Sequence, residues 1–246
     1  MSVLTYEVLD HTAVITLNRP EARNALNPEV VVKLAAAWQR VRDDDQVRVV
    51  ILTGTGSTFC AGADLGQLIP LYSGARQPEN EWDEQILADA AIIGHAIAGG
   101  MELVQGTDLR VSVAAAKFGV QEVKWAIFPA GGSTVRLPAQ MPYAKAMELL
   151  LTGDLITAEE ALALGFLNYV EVEPLAKAHA LARRIAANGP LAVKAIRRSV
   201  KACLGQPEGV ALALELEISA PVFQTEDAQE GPRAFMEKRA PSYRGR

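Results

Sequence analysis

The chain has 246 residues, half of them hydrophobic and 22% charged, with a formal net charge of −5. That composition suits a soluble globular protein of one large domain, or a core with a smaller appendage. The acidic balance argues against broad nucleic-acid or anionic-membrane binding, which needs a basic face. Cys60 and Cys203 lie far apart and His11, His95 and His179 are scattered, which fits neither a disulfide framework nor a zinc site. No apolar run approaches a membrane span of roughly 20 residues. The opening Met-Ser-Val-Leu-Thr-Tyr-Glu lacks the basic and apolar blocks of a signal peptide, so a cytoplasmic, reducing location is expected.

In chain order, Tyr6–Asp10 and Thr12–Leu17 read as an opening hairpin split near Asp10-His11. Asn27-Pro28 starts a helix, a polar cap followed by proline in the first turn, running to about Asp43. Val47–Thr53 reads as a buried strand closed by Gly54-Thr-Gly56. A glycine-rich connection, Phe59–Asp64, leads to a short helix from Leu65. Gly99-Gly100 precedes a helix that carries Glu102 and ends near Gly106, and Leu109–Ala114 reads as a strand. From Ala139 onward the pattern is almost all helical: Tyr143–Leu151, Ala158–Leu164, Leu175–Asn188, Leu191–Leu204, Glu208–Ala220 and Thr225 to about Arg239. Strands alternating with helices, then helices alone, imply an α/β core over residues 1–190 and a C-terminal helical region over 191–246.

Glu102 is the only acidic residue between Ala90 and Val104. A carboxylate in apolar sequence is costly to bury unless it is neutralised, hydrogen-bonded or used. Twenty positions on stands Glu122, which also admits a surface ion pair with Lys124. Phe59–Leu65 and Ala98–Glu102 each place small residues at a helix start, where free N–H groups attract an anionic oxygen. Together, two such turns can aim two N–H donors at one carbonyl oxygen. Two carboxyl groups and a glycine-lined turn suit proton transfer beside a carbonyl. Asp64 admits a plainer role as a helix cap. Other chemistries fail: Gly54–Phe59 misses the third glycine of a dinucleotide fingerprint, Gly131-Gly132-Ser133 is not a nucleophile elbow, and there is no Walker lysine. No metal and no redox cofactor is expected.

These residues resemble the crotonase (enoyl-CoA hydratase/isomerase) family over nearly the whole chain. The resemblance is carried by Asn18–Leu26, Phe59–Leu65, Ala98–Glu102, Thr107–Arg110, Lys117–Glu122, Pro129–Leu137, Leu150–Gly153, Thr225–Asp227 and Lys238-Arg239, in that order. It implies an α/β fold, a spiral of ββα units with a C-terminal helical region that makes trimers, often paired into hexamers. By position it assigns Glu102 and Glu122 as catalytic carboxylates and Ala63 and Gly99 as oxyanion-hole donors. It places Arg23, Ala25, Ala61, Asp64 and Leu65 along a coenzyme A channel, with Phe235 and Lys238 reaching a neighbouring subunit's coenzyme A. Arg23 and Lys238 equally read as solvated surface charges. The implied activity is hydration of a 2-enoyl-CoA thioester, coenzyme A being part of the substrate, with no nucleic-acid or membrane partner. The alternatives are a Δ3-Δ2-enoyl-CoA isomerase or another reaction of the family, or a non-catalytic acyl-CoA binding protein.

The chain also departs from the family pattern. Gln85–Asp89 runs straight into Ala90–Gly94, short by roughly one helix and part of a strand. Ile93 stands where asparagine is common, Gly66 where lysine is common and Ser133 where glycine is common.

Overall fold

The computed structural model describes residues 2–88 and 99–246. The shortened stretch at Ala90–Gly94 lies outside the described residues.

The opening hairpin forms as expected. β1 (Leu4–Leu9) and β2 (Thr12–Leu17) pair antiparallel, with Leu9 opposite Thr12. Asp10 and His11 make the turn at φ 47° and 63°, the left-handed pair that matches the twist of a two-residue hairpin. α1 (Pro28–Asp43) starts where Asn27 accepts the Val30 N–H at 3.0 Å, with proline at its first turn. Such a cap contributes about 1 kcal/mol. α1 buries Val30, Val31, Leu34 and Ala37 and returns the chain to β3 (Val49–Gly54), which pairs parallel with β2. This is a ββα unit closed by a parallel strand. β3 begins two residues later than expected because Val47 N–H is used in a turn onto the Asp44 carbonyl, 3.1 Å away.

After β3 the chain makes α2 (Leu68–Tyr72) and α3 (Glu81–Ala88). The first of these starts at Leu68 rather than Leu65, since Asp64 Oδ1 accepts the N–H groups of Gly66 and Gln67 at 3.0 and 3.1 Å. That is an Asx-type turn ahead of the helix. α4 (Gly100–Gln105) carries Glu102. The expected strand Leu109–Ala114 contracts to β4 (Val111–Ser112), because Arg110 N–H is taken by the Asn168 side chain at 2.8 Å. β5 (Lys117–Phe118) is followed by a 3₁₀ turn over Glu122–Trp125, then α5 (Ser133–Gln140) and α6 (Tyr143–Thr152). β6 (Ile156–Thr157) pairs with β5 and leads into α7 (Ala158–Ala163), and β7 (Tyr169–Val170) pairs with β4. The helical tail follows: α8 (Pro174–Ala186), α9 (Pro190–Cys203), α10 (Glu208–Ser219) and α11 (Glu226–Met236).

The described residues form two apolar cores. One gathers Ile15, Leu17, Leu26, Val31, Leu34, Leu68 and Ile86; the other gathers Met101, Val120, Leu137, Leu149, Ile156 and Phe166. α4 lies between them. Met101 belongs to the second core and Leu103 packs on the first, so the intervening Glu102 is driven into the seam. No described helix is long and apolar enough to cross a membrane.

Candidate active site

Two turns meet backbone to backbone at the head of α4. A Cβ at Gly99 would stand 3.2 Å from the Gly62 Cα, and one at Gly62 would stand 3.3 Å from the Gly99 Cα. Gly62 adopts φ 101°, which a side chain would strain. Only glycines allow so close an approach.

The first turn is held in place by a parallel bridge between Leu26 and Ala63. Leu26 N–H donates to the Gly62 carbonyl at 2.8 Å, and Asp64 N–H donates to the Leu26 carbonyl at 2.9 Å. Ala63 lies between these contacts, so its own N–H points away from Leu26. No described residue accepts the N–H of Ala63 or of Gly99. Both expected oxyanion donors therefore sit on turns that touch.

Glu102 is 4% exposed. Ser133 N–H donates to its Oε1 at 3.2 Å, while Oε2 is buried with no hydrogen-bond partner. Burial raises its pKa; contacts with Ser133 oppose that rise and the nearby Glu122 charge adds to it. Glu122 is half-buried, and burial raises its pKa as well. Its Oε1 would lie 3.5 Å from a Cβ at Gly99. Glu122 thus faces Gly99, and Glu102 lies close enough to feel its charge, each acid biased toward holding a proton above the usual carboxylate range. The alternative surface pairing of Glu122 does not occur: Lys124 pairs with Asp154 at 3.0 Å.

The other expected residues divide. Asp64 is tied to Arg19, whose two terminal guanidinium nitrogens lie 3.2 Å from Oδ2, while Oδ1 closes the turn before α2. The expected cap on a helix from Leu65 is not formed: the helix starts at Leu68 with Gln67 as its uncapped N-cap, and Asp64 instead closes the turn ahead of it. Arg23 is exposed, at φ 52°, with its carbonyl accepting the Ala61 N–H at 3.0 Å. Ala25 is half-buried, whereas Ala61 and Leu65 are exposed beside the same turn. Phe235 is 81% exposed at the end of α11, and Lys238 follows at φ 55°. Both lie in the C-terminal region, with no described contact to the two turns. That end of α11 is braced by Glu230, which accepts from Arg239 at 2.9 Å and from Ser242 N–H at 2.9 Å.

One residue that sequence reasoning left without a role is Arg110. Its Nε donates to the Val104 carbonyl at 3.0 Å and a second nitrogen donates to the Thr107 carbonyl at 3.1 Å. Its Cζ lies 4.4 Å from the centre of the Phe166 ring. It therefore closes the C-terminal end of the helix that aims Glu102. Among the described residues no group of three His, Cys, Asp or Glu side chains is placed to hold a metal.

The family model described as enoyl-CoA hydratase/isomerase matches residues 9–246. The chain belongs to the enoyl-CoA hydratase/isomerase family. It is 45% identical to enoyl-CoA hydratase EchA19 of Mycobacterium tuberculosis over 252 residues, covering 96% of this chain and 94% of that protein. It is 40% identical to the (E)-benzylidenesuccinyl-CoA hydratase of Thauera aromatica over 257 residues, covering 98% and 99%. Both alignments run over more positions than the chain's 246 residues, so these relatives carry residues with no counterpart in this chain. Among solved structures, enoyl-CoA hydratase EchA1 from Mycobacterium marinum superposes with a TM-score of 0.87 at 39% identity, covering all of both chains. The crotonase-type fold expected of the family is the fold observed.

Proposed function

We propose that this member of the family is an enoyl-CoA hydratase that adds water across the double bond of a 2-enoyl-CoA thioester. The supporting observation is a buried Glu102 within reach of the half-buried Glu122, which faces Gly99, beside N–H groups without described acceptors. In this reading Ala63 and Gly99 grip the thioester oxygen, which draws electron density from the β-carbon. Glu102 Oε2 accepts a proton from water as the water oxygen bonds to the β-carbon. The electron pair passes to the thioester oxygen, and the enolate so formed takes a proton from Glu122 at the α-carbon. Donors aimed at that developing charge are worth roughly 2.7–4 kcal/mol each, and placed acid–base groups about 10²–10⁴-fold each. These parts suffice without a metal or redox group.

The raised pKa of each carboxyl suits groups that must both take up and release a proton in the reaction. The relatives named above are hydratases by name, in keeping with this choice within the family. The test is loss of enoyl absorbance over short, long and ring-bearing 2-enoyl-CoAs, with wild type, Glu102→Gln and Glu122→Gln. Either substitution should lower kcat at least a hundredfold. An untouched rate in Glu102→Gln beside an inactive Glu122→Gln would instead assign a one-carboxylate isomerase. Binding without turnover of any chain length would assign an acyl-CoA binding protein.

Assembly as a trimer, or a pair of trimers, belongs to the same proposal. α9 buries none of its residues, and Ile196, Val200, Leu204, Leu212, Leu216 and Phe223 are all more than half exposed on the helical tail. So much exposed apolar surface on adjacent helices suits a subunit interface. Phe235 and Lys238, placed away from the described site of their own chain, are then free to reach a neighbour's coenzyme A. Light scattering should return three or six times the 26.4 kDa chain mass; a monomer would refute this part. Two free thiols, Cys60 and Cys203, suit action in the reducing cytoplasm.

A further inference from the structure

Behind Glu102 runs a polar chain that the two-carboxyl reaction does not itself call for. Ser133 opens α5 directly after Gly132, which turns the chain at φ 106°. Ser133 is 0% exposed, and Gln105, one turn along α4 from Glu102, is 2% exposed. Gln105 Nε2 donates to Ser133 Oγ at 3.0 Å, and Gln140 Nε2 donates to the Gln105 carbonyl at 2.9 Å. A serine hydroxyl has one hydrogen to give. With Oγ already accepting from the Gln105 amide, that hydrogen is available to the neighbouring Glu102 carboxyl. The Ser133 N–H donates to Glu102 Oε1 at 3.2 Å, and a hydroxyl turned the same way would add to the hold on the charged form against the cost of burial.

We propose that Ser133 is a positioning residue: Gln105 orients its hydroxyl toward Glu102, and hydroxyl and N–H together hold the carboxylate with Oε2 presented to the reacting water. The proposal rests on the hydratase reading. It concerns Ser133 and Gln105 as a unit, since either change breaks the same chain.

The other charges around Glu102 leave room for such control. Glu122, from the 3₁₀ turn, is the like charge that acts on it among the described residues. Arg136 of α5 is turned back onto the Gly131 carbonyl at 2.7 Å. Asp64, on the facing turn, is occupied by Arg19, and Cys60 is held neutral, its pKa raised to about 11 by burial. α4 carries no second charged residue. Donors from Ser133 are therefore the main described influence that favours a deprotonated Glu102.

The experiment compares wild type, Ser133→Ala, Gln105→Met and the double variant. Each is read by the pH dependence of kcat/KM with crotonyl-CoA and by ¹³C NMR titration of the Glu102 carboxyl. Removing a donor to the charged form raises its pKa, so the acid limb and the NMR midpoint should both move up by about one pH unit. kcat should fall about tenfold with KM little changed, and the double variant should be no worse than Ser133→Ala. An unmoved Glu102 midpoint in Ser133→Ala, whatever the melting temperature does, overturns the proposal. Additive losses in the double variant overturn the role of Gln105. If Ser133→Ala does not fold, Gln105→Met carries the same expectation. Failure of wild type to hydrate any 2-enoyl-CoA refutes the hydratase reading instead, while the carboxyl titration still tests the hold on Glu102.

Discussion

Gly100→Ala isolates the close approach of the two turns. Gly100 opens α4 in helical conformation, where alanine is intrinsically better by about 1 kcal/mol. Local propensity alone therefore predicts a small gain. The surroundings predict the reverse, because a Cβ there would overlap the Cys60 carbonyl oxygen and lie 2.9 Å from both the Cys60 carbonyl carbon and Cβ. Two of these three atoms are backbone, so no rotamer change relieves the contact. Overpacking of this kind costs roughly 1–3 kcal/mol, and the upper end applies where backbone must move. Against the helical gain the net loss is about 2 kcal/mol, about thirtyfold in the folding constant. Relief by separating the turns would also pull Gly99 from Gly62 and misplace a donor, lowering kcat about a hundredfold. Urea denaturation and hydration kinetics read the two effects. Gly209→Ala, with nothing within 4 Å of the new Cβ, is the control and should gain stability. A Gly100→Ala protein as stable and active as wild type would refute the backbone-contact reading.

Three further outcomes follow from the same geometry. Because burial raises the folded-state pKa of Glu102, its contribution to stability is full below the unfolded carboxylate value and is lost as pH rises toward the folded value. Glu102→Gln should thus be more stable than wild type at neutral pH, with the difference vanishing under acid conditions; denaturation across pH checks it. Asp64→Ala removes the Arg19 pair and the turn before α2 together, and should cost about 1–2 kcal/mol and raise KM, as measured by denaturation and kinetics. Lys124→Ala breaks only an exposed pair with Asp154; stability should change by less than about 0.5 kcal/mol and kcat should be unchanged, whereas a lost activity would restore the Lys124–Glu122 pairing.

What the sequence made legible was local. Asp10-His11 marked a tight turn, Asn27-Pro28 a helix start, and the apolar setting of Glu102 its burial, each through chemistry within a few residues. α5 escaped because Gly131-Gly132 and Pro138 break its pattern, yet it supplies the N–H on Glu102. The expected strand at Leu109–Ala114 contracted because Asn168, far along the chain, claims Arg110 N–H. Lys124 was ambiguous for the same reason: its partner, Asp154, lies thirty residues on. Partners distant in sequence leave no periodic trace, and they decided which polar residue served structure and which was left for chemistry.

The placement of α4 carries one last consequence. Met101 is lodged in one apolar cluster and Leu103 against the other, so the helix works as a keystone between the halves. Neither half can loosen alone without tilting the carboxylate between them. Activity should therefore vanish in step with the global unfolding transition, with no damaged but working species along the way.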